Sequence, residues 1–261
     1  MTPGPLEASL RSARDRGRKL LIPFVTGGMS EDWTDVLAAM AGSGADAVEV
    51  GIPFSDPLMD GPTVQEAATR ALARGTTPVS ILDELARLDM GVPVVAMTAY
   101  NLVFRMGEHR FARSLAMSGV AGAIVPDLPL DESASWEAEA GRAGVETVLL
   151  AAPVTTDRRL AEIVARSRGF VYGVSVMGTT GERTAVAASA MIMAKRLKAA
   201  TDLPVAIGFG VSTPEQAAEI ATVADGVVVG AALVRIVLDG GEPEDVGRFV
   251  ASLRAGLDAA C

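Results

Sequence analysis

Short runs of apolar, often β-branched residues recur along the chain at 20–26, 46–51, 93–98, 121–125, 146–151, 170–175, 203–207 and 225–229. Between them lie stretches with apolar residues at helical spacing, such as Val36, Leu37 and Met40, or Leu160, Ile163 and Val164. Within the runs the apolar residues are continuous and do not alternate with polar ones, as expected of strands covered on both faces. Eight strands alternating with helices predict an α/β fold, a closed (β/α)8 TIM barrel, which typically takes about 250 residues as one core. The 261 residues are therefore expected to form a single domain, 1–261. No internal repeat, linker or low-complexity segment divides them.

Two departures from regular alternation are expected. The interval between the second and third runs is roughly twenty residues longer than its neighbours, enough for an extended loop plus a helix. An extra N-terminal helix from Pro5 to Arg18 is expected to close the bottom of the barrel. One helix start is explicit: Thr213-Pro214-Glu215-Gln216 has the form of a capping box, with proline where its missing N–H is harmless.

Composition narrows the chemistry. The chain has 23 Lys plus Arg against 32 Asp plus Glu, a net charge of −9, with one histidine, His109, and one cysteine, Cys261. A zinc site normally needs three or four ligands and a disulfide needs two cysteines, so neither is expected within one chain, and the thiol count suits a reducing cytoplasm. No apolar run approaches the roughly 18 residues of a membrane helix, and the basic start lacks the apolar stretch of a secretory signal. An acidic chain without basic clusters or interleaved aromatics argues against nucleic acid. Small molecules and protein partners remain.

In such barrels reacting groups sit at the C-terminal ends of the strands and in the loops that follow. Glu49 interrupts the second apolar run, where an ionised side chain facing a dry core is costly without a partner. It reads either as a catalytic acid/base or as a glutamate satisfied by backbone amides or water near the barrel mouth. Asp60 follows eleven residues later in a loop, 51–62, whose three prolines, two glycines and two aspartates hold it in a specific shape. Taken alone, Asp60 before Gly61 is also ordinary turn chemistry, as is Asp56 before Pro57. Together, a strand-end carboxylate and a loop carboxylate can flank a substrate and take different protonation tasks.

Glycine-rich exits at the seventh and eighth strands, Gly208-Phe209-Gly210-Val211-Ser212 and Gly230-Ala231-Ala232, suit a phosphate held by backbone N–H groups, though glycine there also permits plain tight turns. The sixth exit, 177–184, reads as a mobile lid or an ordinary exposed loop. The only lysines are Lys19, Lys195 and Lys198, none at a strand exit, which disfavours a Schiff base; His109 lies in a surface-like helix start, and no dinucleotide fingerprint follows a strand. Metal-free acid–base chemistry on a phosphorylated ligand, by an isomerase or a carbon–carbon lyase, is left.

The segment 46–65, DAVEVGIPFSDPLMDGPTVQ, closely resembles the signature of the tryptophan synthase alpha subunit family. The likeness continues through 21–27, 99–104, 125–129, 170–181 and 203–210, in order and over essentially the whole chain. The resemblance implies cleavage of indole-3-glycerol phosphate to indole and glyceraldehyde 3-phosphate in tryptophan biosynthesis. It also implies the roles. Glu49 would be the principal acid/base, and Asp60 would accept the indole N–H. Phe24 and Phe209 would line the indole pocket beside Tyr172, with Leu102 and Leu128 as further wall or core residues. Thr180 would close over Asp60, and Gly181, Gly210 and Gly230 would cradle the phosphate.

By the same resemblance the chain pairs with a beta subunit in a cytoplasmic α2β2 heterotetramer. Pro53, Asp56 and 101–104, from Asn101 to Phe104, would meet that partner. No cofactor is expected in this chain; pyridoxal phosphate belongs to the beta subunit. Three positions depart from the family pattern. Ala231 lacks a hydroxyl that would reach phosphate, a loss of about 1 kcal/mol, Met59 replaces a smaller residue beside Asp60, and Met177 precedes the lid at a variable position. Two other expectations stay open: a stand-alone lyase, and a catalytically weak subunit that mainly activates the beta subunit.

Overall fold

A computed structural model describes residues 2–57, 59–174, 183–208 and 210–260. Eight parallel strands, β1 (Leu20–Thr26), β2 (Val48–Gly51), β3 (Val94–Met97), β4 (Val120–Ile124), β5 (Glu146–Ala151), β6 (Val171–Val174), β7 (Val205–Gly208) and β8 (Gly226–Val229), close into a barrel in chain order. The ring is completed by β1 against β8, with Leu20 opposite Gly226. The TIM barrel expected from the alternation is therefore present. All seven residues of β1 and all four of β2 and β8 are buried, which is why their patterns are continuous and not alternating.

Two acidic residues counted with the apolar runs stand just before their strands. Asp46 accepts hydrogen bonds from the Leu21 N–H at 2.9 Å, from Arg18 at 2.6 Å and from the nearly buried Arg254 at 3.2 Å. Asp225 does the same at the foot of β7 and β8, accepting from the Val205 N–H and from Lys198, each at 2.8 Å. These carboxylates satisfy backbone donors where the strands begin, so the strands start one or two residues later than the hydrophobic runs.

The barrel bore is filled by Leu20, Ile22, Ala47, Val95, Ile124, Val148, Phe170, Ala206 and Val228. Its bottom is closed, as expected, by the first helix, Pro5–Asp15, through Leu6 and Leu10. That helix has no side-chain cap of its own. Glu146, at the start of β5, instead accepts the N–H groups of Leu6 at 2.7 Å and Glu7 at 3.1 Å, placing negative charge at the positive end of the helix. The fit is close: a Cβ on Gly4 would lie 2.5 Å from the Glu146 carboxyl carbon.

The long interval after β2 holds the expected loop and extra helix, Pro62–Ala73 and then Pro78–Leu85, the second entered through a Thr77–Ser80 capping box. Two helices also follow β3, Tyr100–Met106 and Glu108–Met117, separated at Gly107 by a φ of +88°. The capping box at 213–216 is half as expected. Thr213 accepts the Gln216 N–H, while the Gln216 side chain turns to Ser212 instead of back to Thr213. No helix of the described residues is long and apolar enough to cross a membrane.

Candidate active site

Glu49 stands in the middle of β2, opposite Phe24 of β1 and Val95 of β3. It is 1 % exposed, and its Oε2 has no hydrogen-bond partner among the described residues. Burial, and then the nearby charge of Asp60, push its carboxyl up to about 8.

Asp60 is held by its own backbone. Its N–H donates to Pro57 O at 3.1 Å, and its carbonyl accepts from Gln65 Nε2 at 2.9 Å, just before extended Gly61 leads into the helix Pro62–Ala73. Partial burial pushes this carboxyl up to about 6. Tyr172, on β6, has its phenol pushed well above its ordinary value by burial and by the charges of Glu49 and Asp60, so the three groups share one electrostatic neighbourhood.

A cavity of about 250 Å³ opens at the C-terminal ends of β1 to β4, with Phe24, Thr26, Gly51, Asp60, Met97 and Pro126 among its walls. Glu49 lies beneath, two residues back from Gly51 and on the same face of β2. Phe24 lines this cavity. Leu102 and Leu128 are half-buried and pack against the main core without lining the cavity. Phe209, Met177, Thr180 and Gly181 lie outside the described residues, as does Cys261.

Residue-by-residue reading missed Thr26, Met97, Thr98, Pro126 and Asp127 on the cavity wall. All sit at or just beyond strand ends, so the barrel rule could have found them, but none is a residue type that draws notice in such a run.

At the opposite side of the mouth, β7 and β8 are neighbours, with Gly208 opposite Val228. Gly230 precedes the helix Ala231–Leu238, whose start has no side-chain cap, and Ala231 is exposed there. Gly210 is exposed with φ +43°, a left-handed conformation that favours glycine. The Ser212 N–H and hydroxyl are already taken by Gln216 Oε1 at 2.8 and 3.0 Å, which removes Ser212 from the free donors of this exit.

Among the residues expected on a partner face, Asp56, Asn101 and Phe104 are exposed, whereas Pro53 is buried and lines the cavity. Met59 is 66 % exposed and lies on the cavity wall beside Asp60. His109 is a surface residue with its Nδ1 3.0 Å from Glu139. Lys19 and Lys198 are engaged with Ala224 and Asp225 at the foot of the barrel, away from the mouth. Among the described residues, no three His, Cys, Asp or Glu side chains are grouped to hold a metal ion.

A closed parallel barrel with perturbed carboxylates below and beside a cavity at its carboxyl end defines an enzyme of the TIM-barrel class. Comparison with known proteins makes the class specific. A family model described as tryptophan synthase alpha chain matches residues 10–255. The tryptophan synthase alpha chain of Gloeobacter violaceus is 43% identical over 253 residues, covering 95% of this chain and 92% of its own. That of Streptomyces coelicolor is 45% identical over 249 residues, covering 92% and 89%. A structure of Mycobacterium tuberculosis tryptophan synthase superposes with a TM-score of 0.90 at 38% identity, over 98% of this chain and 99% of the other. The chain belongs to the tryptophan synthase alpha chain family, and so to the carbon–carbon lyases of tryptophan biosynthesis.

Proposed function

We propose that this chain cleaves indole-3-glycerol phosphate to indole and glyceraldehyde 3-phosphate by a reversible, metal-free retro-aldol reaction in which Glu49 and Asp60 divide the proton work. The observation that carries the reading is the unequal environment of the two carboxyls, one held near 8 and the other near 6. With its carboxyl raised further, Glu49 is suited to carry the proton at neutral pH, and Asp60 to be the anion, which supports the roles of acid and charge stabiliser.

An aromatic indole is a poor leaving group, so the ring must first be protonated at C3. Glu49 donates that proton. The ring becomes an iminium cation, and Asp60 stabilises it by accepting the indole N–H. The Glu49 carboxylate then takes the proton of the hydroxyl on the adjoining carbon. The C3–carbon bond breaks, its electron pair returns to the ring as indole, and the hydroxyl carbon becomes the aldehyde. The steps balance with no metal ion and no redox cofactor.

Phe24, Tyr172 and Phe209 enclose the indole in this reading, and Thr180 closes over Asp60. The phosphate binds to backbone N–H groups at Gly181, Gly210, Gly230 and Ala231, consistent with a chain of net charge −9 that offers local dipoles in place of a basic surface. Indole passes to a beta subunit that carries pyridoxal phosphate, in a cytoplasmic α2β2 complex contacted through the exposed Asp56, Asn101 and Phe104.

The test is indole release from indole-3-glycerol phosphate by the purified chain, alone and with a beta subunit. Slow release that rises with the partner is expected. High turnover indifferent to the partner would indicate a stand-alone lyase, activation of the partner without turnover would indicate a regulatory subunit, and no effect of either kind would overturn the reading.

A further inference from the structure

Thr26 ends β1 opposite Gly51, two residues nearer the mouth than the Phe24 and Glu49 pair. It is 2 % exposed and lines the cavity, yet its Oγ1 is buried with no hydrogen-bond partner among the described residues. Leaving a buried hydroxyl unpaired is costly, and valine would fill the same volume without that cost. The hydroxyl is therefore available to donate to an acceptor on the cavity wall when ligand fills the site.

The cavity wall narrows the choice. Its titratable groups are Asp56 and Asp60 from the loop after β2 and Asp127 after β4, with Glu49 beneath and Tyr172 across from β6; the wall holds no cation among the described residues. Two hydroxyls are the side-chain donors there, and that of Thr98 already reaches the Ala99 carbonyl, at 3.5 Å. Asp127 Oδ1 is taken by the Tyr100 N–H at 2.8 Å. An indole ring brings a donor, its N–H, and no acceptor to this apolar end.

We infer that Thr26 is a positioning residue for Asp60: when ligand fills the cavity, its hydroxyl donates to one carboxylate oxygen and aims the other at the indole N–H. The inference rests on the lyase reading above. Such a bond favours the charged form of Asp60 and holds it in one rotamer while positive charge develops on the ring.

The test compares Thr26→Val and Thr26→Ser with the unaltered chain, each with a beta subunit, on indole-3-glycerol phosphate across pH. In the valine variant kcat falls about tenfold, as for a lost hydrogen bond to a charge. KM changes little, the acidic limb of kcat moves to higher pH, and serine restores both. Thermal melting checks the fold, and Thr26→Ala serves if the valine chain does not fold. A valine variant with unchanged kcat and acidic limb overturns the inference, as does a rise in KM alone, which would place the hydroxyl on the substrate. Absence of turnover in the unaltered chain removes the lyase reading and this inference with it.

Discussion

Gly208 of β7 is shaped around Tyr172 of β6: a Cβ at Gly208 would stand 2.2 Å from the ring's Cε2 and 2.3 Å from its hydroxyl oxygen. The ring has little room to retreat, since Phe170 lies beneath it at a centroid distance of 6.0 Å and is fully buried. Gly208→Ala should therefore destabilise the barrel by about 1–3 kcal/mol through overpacking. Combining it with Tyr172→Ala should cost less than the sum of the two single changes, because the second removes the clash of the first. Urea midpoints of the four chains measure this; strict additivity would mean the two positions do not compete for space.

The pair Glu49 and Asp60 sets a pH window. If the two carboxyls act as proposed, Asp60 takes up a proton below about 6 and loses its hold on the ring cation, and above about 8 Glu49 lacks the proton it would donate. Between these limits kcat/KM for indole release should form a bell centred near neutrality. In Asp60→Asn, assayed with excess enzyme, the acidic limb should vanish. The alkaline limb should move to lower pH, since the Asp60 charge helps Glu49 hold its proton. An alkaline limb that stays in place would show that the two groups do not sense each other.

Glu49 was legible in the sequence because a charge within a continuous apolar run violates the pattern that makes the run a strand. The eight strands were legible for the complementary reason, burial on both faces. Thr26 was not, because threonine ends many strands and only the folded barrel shows its hydroxyl without a partner among the described residues. Glu146 was read as part of a strand, but its carboxylate caps a helix 140 residues away in the chain, a pairing that exists only once the barrel closes. The exit after β7 was half legible. Its glycines stood out, whereas the capture of Ser212 by Gln216 depends on which of two nearby N–H groups the amide reaches.

The same buried carboxyl proposed to serve the reaction should weaken the fold. Glu49 ionises near its ordinary 4.5 in the unfolded chain but only near 8 in the folded one. Between those values the unfolded chain binds fewer protons, so stability present at low pH is lost as pH rises, at no more than about 1.4 kcal/mol per pH unit. Glu49→Gln removes the titration. Its melting temperature should exceed that of the unaltered chain by a margin that widens from about pH 5 to about pH 8 and then levels off. A margin independent of pH would mean that Glu49 titrates alike in both states.

Phe104 tests the partner face. The helix Tyr100–Met106 is tied down by buried Val103 and by Asp127, which accepts the Tyr100 N–H at 2.8 Å, leaving the Phe104 ring 71 % exposed. An aromatic side chain on a fixed helix loses little freedom on docking, the property that makes such residues interface anchors. Phe104→Ala should leave the melting temperature of the isolated chain nearly unchanged, since little burial is lost within it. Affinity for a beta subunit, titrated calorimetrically, should fall about tenfold or more. Unchanged affinity would move the partner contact away from this helix, while a lowered melting temperature would show that the ring supports the chain's own fold.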